Sequence, residues 1–400
     1  MNIIYLHKEP ILDSKKCLFG NELSFRKTDT HPIGLRWPSL GVNEEIAKAV
    51  SSEGGFQKLT RNNRTFLRLD VNAMEADVIS LLPKNSILQV PEKDILDKEV
   101  LLKAAMLKKL TYQIAVDYTP SGHGLLPAHG MADFVRISAS SVPVSQAIAL
   151  LKGLRGKLIV GGVEDGESFA GYRDAGLELF QGPFFMRPSG EGSPSVSSDQ
   201  HILLQLYNDL RANKDVTVIE RVFKNSPKLA YGLLRLMNSA FFHVGRKITS
   251  IGDAITLLGY DNLQKWVVLL LFEVDHRDSQ SYPIVEKALV RGRLMESLAK
   301  KAERTLADSA FITGMLSFMN VLFNMEPDEV MQKLNLVQAI QDALTARQGV
   351  LGMLLALAER ADRQEYDDMD GEAKALGLTP EDVLWAETNA IMDAGNVFES

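Results

Sequence analysis

The sequence predicts two fold classes in one chain: α/β over the first half, as a modified (β/α) TIM-like barrel, then an all-helical second domain. Three observations carry this. Short β-rich runs alternate with helical stretches up to about residue 188; strand signals almost vanish after residue 200; and between them Pro188–Gln200, PSGEGSPSVSSDQ, has the composition of a linker. The expected organisation is a barrel domain over 1–188, a linker over 189–199 and a helical domain over 200–400, with extra helices in 360–400.

The strands are expected first. Ile3–Leu6, Phe66–Val71, Ile87–Val90, Gln113–Val116, Phe134–Ile137 and Lys157–Val160 are short runs of β-branched and aromatic residues. Val100–Leu110 and Val144–Leu154 show helical periodicity between them. Repeated β-α alternation implies a parallel sheet, and this many units imply a barrel. About 190 residues is small for eight regular units, so a shortened or irregular barrel is expected.

Beyond the linker, Ile202, Leu203, Leu206 and Leu210 share one helical face. Ile284, Val285, Ala288 and Leu289 share another, as do Val350, Leu351, Leu354, Leu355 and Ala358. Near the end, Thr379 and Pro380 form a helix-start signal, with Thr379 as N-cap and Val383, Leu384, Ala386 and Ile391 on a packing face.

Composition narrows the classes of function. The chain is 46% hydrophobic and 24% charged, as ordinary globular proteins are. Its net charge of −7 is uneven, about +2 over 1–190 and −9 over 191–400. An acidic second half argues against non-specific nucleic-acid binding. The one cysteine, Cys17, excludes an internal disulfide framework and a cysteine-based zinc site, and suits a reducing cytosol. VVLLLF (Val267–Phe272) is too short to span a membrane, and the N-terminus lacks the apolar core of a signal peptide. A cytoplasmic location is therefore expected.

Four stretches carry the chemistry: FGNELSFR (Phe19–Arg26), IAVDYT (Ile114–Thr119), VGGVED (Val160–Asp165) and FQGPFFMRP (Phe180–Pro188). With Glu9-Pro10-Ile11 and Asp13 ahead of them, their order resembles the EAL family of cyclic di-GMP phosphodiesterases. Such enzymes gather carboxylates and amides around two metal ions to activate water and neutralise charge. The resemblance makes Glu22 the surviving metal ligand, Arg26 a phosphate contact, and Asp117 the first of the paired aspartates. It places Glu164 and Gln181 at the barrel rim, and Tyr118 where a base could stack. The alternatives stay open: Glu22 and Arg26 could simply pair, and all six could hold the rim together.

Other positions depart from the family pattern. Arg68 stands for an asparagine ligand, Gln89 for a glutamate, Tyr118 for the second aspartate, Ser138 for an aspartate and Gly161 for a glutamate. Arg136 stands for a lysine, and Arg is larger, planar and essentially never deprotonated. A cation at a ligand position repels a metal, and glutamine is a poor substitute for a carboxylate beside hard cations. The expectation is a chain without metal, cofactor or catalytic residues.

The second half resembles the HDOD domain, a relative of the HD-GYP phosphohydrolases. The stretches are LAYGLLRLMNSAFF (Leu229–Phe242), ITSIGDAITLLGYDNLQKWV (Ile248–Val267) and Ala310–Leu316. No His-Asp dipeptide occurs, and Asp275-His276-Arg277-Asp278 fits a polar helix end better than a metal site. Asn238-Ser239 fits helix termination. The resulting expectation is a non-catalytic signalling or scaffold protein with an unidentified protein partner. Cyclic di-GMP binding without hydrolysis is the alternative, residual phosphodiesterase activity a weaker one, and the resemblance allows a homodimer.

Overall fold

The computed structural model describes residues 4–27, 63–68, 82, 85–90, 97–120, 130–188, 197–237, 250–273, 282–325, 329, 334, 336–366 and 369–397. The chain forms two compact units. The first is Met1–Arg187 with Arg363–Asp368 and Glu387–Glu399; the second is Pro188–Asp362 with Met369–Ala386.

Eight strands close the first unit into a barrel in chain order: β1 Ile4–Asp13, β2 Leu18–Lys27, β3 Arg64–Arg68, β4 Ser86–Val90, β5 Gln113–Asp117, β6 Phe134–Ser138, β7 Lys157–Gly161 and β8 Leu179–Gln181. The expected irregularity lies in direction rather than number. β1 runs antiparallel to both β2 and β8, whereas β2 to β8 are parallel. A four-residue turn, Ser14 to Cys17, reverses the chain after β1. The Asp13 carboxylate accepts from the Lys15 and Cys17 amides at 2.8 and 2.9 Å, and Lys16 takes the left-handed conformation with φ 62. Helices α1 Lys98–Lys109, α2 Val144–Gly153 and α3 Gly166–Asp174 lie between later strands. Asp97 and Asp165 cap α1 and α3.

Alternation along each strand sends every second side chain into the barrel. Ile11, Phe66, Ile87, Ala115, Phe134, Ile159 and Leu179 form one buried layer, with Phe19 packed against it. Phe134 meets both Phe19 and Phe66 edge to face. The barrel interior is thus a filled core, and chemistry is confined to the layer above it.

The last helix was expected to belong wholly with the helical domain. In the structure its C-terminal part joins the barrel unit instead. The Thr388 hydroxyl accepts from the Leu6 amide at 2.9 Å, and the His7 ring lies 2.9 Å from the Glu387 carboxylate. Glu387 also accepts from the Tyr366 hydroxyl at 2.7 Å. His7 and Glu387 are both buried, and buried polar groups need such partners.

The second unit is helical: α4 Ser198–Arg211, α5 Val216–Lys224, α6 Pro227–Met237, α7 Ile251–Leu258, α8 Tyr260–Glu273, α9 Tyr282–Ala302, α10 Ala307–Leu316, α11 Met319–Phe323, α12 Gln338–Ala346, α13 Gly349–Asp362, α14 Asp370–Ala375 and the start of α15, Pro380–Val397. Ser197 and Gln200 form a capping box on α4. Thr379 caps α15 as its sequence indicates, accepting from the Asp382 amide at 3.2 Å. A side chain at Gly314 would fall 2.7 Å from the Cα of Gly292, so bare backbone lets α9 and α10 touch.

Ion pairs cross this unit, most of them buried. Asp362 accepts from Arg291 at 2.9 and 2.6 Å and from Lys287 at 3.2 Å. Lys265 pairs with Glu296 at 2.8 Å and with Asp308. Arg304–Phe323 is long and apolar enough to cross a membrane by length and composition, but 61% of that window is buried inside the structure, as in a core helix.

Candidate functional site at the barrel mouth

One step along each strand from the buried layer toward the parallel strands' C-terminal ends lies a second inward-facing layer. It comprises Glu9, Glu22, Gln89, Asp117, Arg136, Gly161 and Gln181 on β1, β2, β4, β5, β6, β7 and β8. Arg68 of β3 is in register with Gln89; its side chain lies outside the described residues. In barrels of this kind, this end is where binding and catalytic groups gather.

The layer is tied together by its own hydrogen bonds. Glu22 is 8% exposed. Its Oε2 accepts from Arg136 Nη1 at 2.8 Å and from Gln181 Nε2 at 2.7 Å. Gln181 Nε2 also donates to Glu9 Oε2 at 2.9 Å. On the other side, Gln89 Nε2 donates to Asp117 Oδ1 at 2.7 Å.

Among the described side chains Arg136 is the cation of the group, and β5–β6 pairing sets it beside Asp117. Burial works against its charge, but Glu22, Asp117 and Glu9 outweigh that and raise its pKa above the ordinary guanidinium value. Gly161 makes room for it: a Cβ there would sit 2.9 Å from Arg136 Nε.

Three of the six candidate residues, Glu22, Asp117 and Gln181, therefore meet in this layer, and Tyr118 and Glu164 do not join it. Tyr118 points the opposite way by strand alternation. It is buried, and its hydroxyl lies 3.4 Å from the Gln146 amide of α2, so its ring is not offered to a base at the mouth. Glu164 follows β7 as an exposed residue, its side chain unbonded among the described residues. Arg26 lies in β2 opposite Tyr5, and its side chain is outside the described residues. Ser138 bonds Ser140 at 2.8 Å.

The sequence reading took Glu9 only as a substitute for glutamine and missed its part in this layer. The signal was present, because Glu9 stands two residues from core residue Ile11, as Gln181 stands from Leu179.

The EAL resemblance implies divalent metal ions, and this donor set does not fit one as arranged. The Glu22 oxygen is already engaged by a guanidinium and an amide. Hard cations need several oxygens directed at one point. Among the described residues no group of three or more His, Cys, Asp or Glu side chains is placed to hold a metal. In the second unit, Asn238-Ser239, His243 and Asp275 to Asp278 lie outside the described residues.

Comparison with known proteins adds the following. Residues 195–357 match the HDOD domain family. The chain is 25% identical over 380 residues to the uncharacterized protein YuxH of Bacillus subtilis strain 168, covering 91% of this chain and 92% of that protein. It is also 25% identical over 413 residues to the cyclic di-GMP phosphodiesterase CdgJ of Vibrio cholerae, covering 96% of this chain and 90% of that protein. Among solved structures, the phosphodiesterase PaMucR in complex with c-di-GMP aligns over 45% of this chain and 89% of its own, at 19% identity and a TM-score of 0.38. Klebsiella pneumoniae BlrP1 with calcium and cyclic di-GMP aligns over 45% of this chain and 54% of its own, at 18% identity and a TM-score of 0.35. The chain carries an HDOD domain behind a closed eight-stranded barrel, which supports an EAL–HDOD architecture.

Proposed function

We propose that this chain is a non-catalytic cytoplasmic signalling protein that acts through contacts with a protein partner. The observation that carries this reading is the ion pair between Arg136 and Glu22, with Gln181 on the same oxygen. Water activation at a phosphodiester needs metal-bound oxygen or a free base, and this layer spends its carboxylates on its own donors. Losing one member of a set that acts as a unit removes most of the rate. The full-length likeness to CdgJ supports a role in cyclic di-GMP signalling.

The test is hydrolysis of cyclic di-GMP by the purified full-length chain with Mg²⁺ or Mn²⁺. No turnover above buffer is expected, and metal-dependent cleavage would sink the proposal. A second reading is cyclic di-GMP binding without hydrolysis, supported by the likeness to CdgJ in that a cyclic di-GMP phosphodiesterase must bind the nucleotide. Calorimetry decides it: saturable heat supports a receptor, and none at high micromolar nucleotide rejects one.

A further inference from the structure

We propose that Arg136 is a resident cation of the barrel mouth, standing in for a divalent metal ion among Glu9, Glu22 and Asp117, and that Gly161 leaves room for it. The inference rests on the non-catalytic reading above and adds the identity of a group that neutralises charge at the site. Three carboxylates face one layer from β1, β2 and β5, and like charges so placed need a counter-cation. The guanidinium supplies it from β6, bonded to Glu22 at 2.8 Å. Its charge does not depend on pH in the ordinary range or on metal supply.

Two further observations fit. The space beside Arg136 Nε is the space that any side chain at position 161 would need, so the arginine and the glycine form one device. Gln181, 1% exposed, directs its amide N–H at both glutamates and leaves its Oε1 buried without a partner among the described residues. That oxygen is a spare hard donor next to the carboxylates.

The inference is tested on the full-length chain with Mn²⁺ alone, followed by electron paramagnetic resonance and by melting temperature. Wild type is expected to show no saturable Mn²⁺ binding and no upward shift in melting. Arg136→Met removes the charge while filling similar space, and should bind Mn²⁺ at least about tenfold more tightly, with a melting temperature that rises with Mn²⁺. Arg136→Gln, which keeps a planar N–H donor for Glu22, serves if the methionine variant does not fold.

Gly161→Ala should lower melting in wild type and have little effect beside Arg136→Ala. Mn²⁺ binding by wild type equal to that of the variant overturns the inference. So does a folded neutral variant that ignores Mn²⁺, or a Gly161→Ala penalty that is the same in both backgrounds. Wild-type Mn²⁺ binding without hydrolysis defeats this inference alone, whereas hydrolysis of cyclic di-GMP defeats the proposed function.

Discussion

Replacing Asp362 by Asn tests how the helical unit manages buried charge. The carboxylate is 8% exposed and faces Arg291 and Lys287, themselves 7% and 10% exposed. Burial opposes its ionisation, yet Arg291 and then Lys287 hold its pKa below the usual carboxylate range. Asn keeps the shape but leaves two buried cations without their counter-ion. Breaking such a pair from one side costs about 3–5 kcal/mol. Arg291 retains Ser317 at 2.8 Å and the face of Phe318, which favours the lower end, about 3 kcal/mol. For a unit of this size that corresponds to a fall of roughly 6–12 °C in melting temperature.

The pH dependence has a definite sign. A depressed folded-state pKa gives stability that is complete above the unfolded value of 3.8 and is lost as pH falls through the folded value. The gap between wild type and Asp362→Asn should therefore be full at pH 7 and should narrow below about pH 4. Thermal melts of both full-length proteins across pH 3–7 provide the assay. A gap under about 0.5 kcal/mol at pH 7, or one unchanged at acid pH, would refute the reasoning.

Three other outcomes are expected. Tyr207→Phe should be neutral or stabilising by up to about 1 kcal/mol in urea melts, because the hydroxyl is buried and unbonded among the described residues. The same burial pushes the Tyr207 pKa up to about 12, so the phenol should resist alkaline titration until the unit unfolds. Glu22→Gln should cost about 1–2 kcal/mol, since Arg136 keeps an amide acceptor and still faces Asp117 and Glu9. Removing residues 387–400 should destabilise the barrel by about 2–4 kcal/mol and speed its proteolysis, because it strips the partners of His7, the Leu6 amide and Tyr366.

Much of the barrel was legible because its strands are short apolar runs, and six were expected near where they lie. β2 was harder: Gly20, Asn21 and Ser24 interrupt its apolar signal. β8 is only Leu179–Gln181, too short to show a period. The reversed direction of β1 has no local signature, since it depends on the turn that Asp13 closes.

At the mouth, Glu22, Asp117 and Gln181 were found by resemblance. Glu9 and Arg136 could have been found as partners from the two-residue offset to core residues Ile11 and Phe134. The same parity would have removed Tyr118, which follows Asp117 by one and so faces the helices. What spacing could not reveal was that the Arg136 guanidinium reaches Glu22 across 114 residues of chain.

The bonds between Leu6 or His7 and residues 387–388 span some 380 positions, which bears on how the protein is made. During synthesis β1 leaves the ribosome some 380 residues ahead of the side chains that bond it. The nascent barrel must wait through the whole helical domain with a polar strand edge unpaired, the kind of surface that invites mispairing. Its locking step therefore follows synthesis of the helical domain, and a chain stopped before residue 387 is left with a barrel that never completes that step.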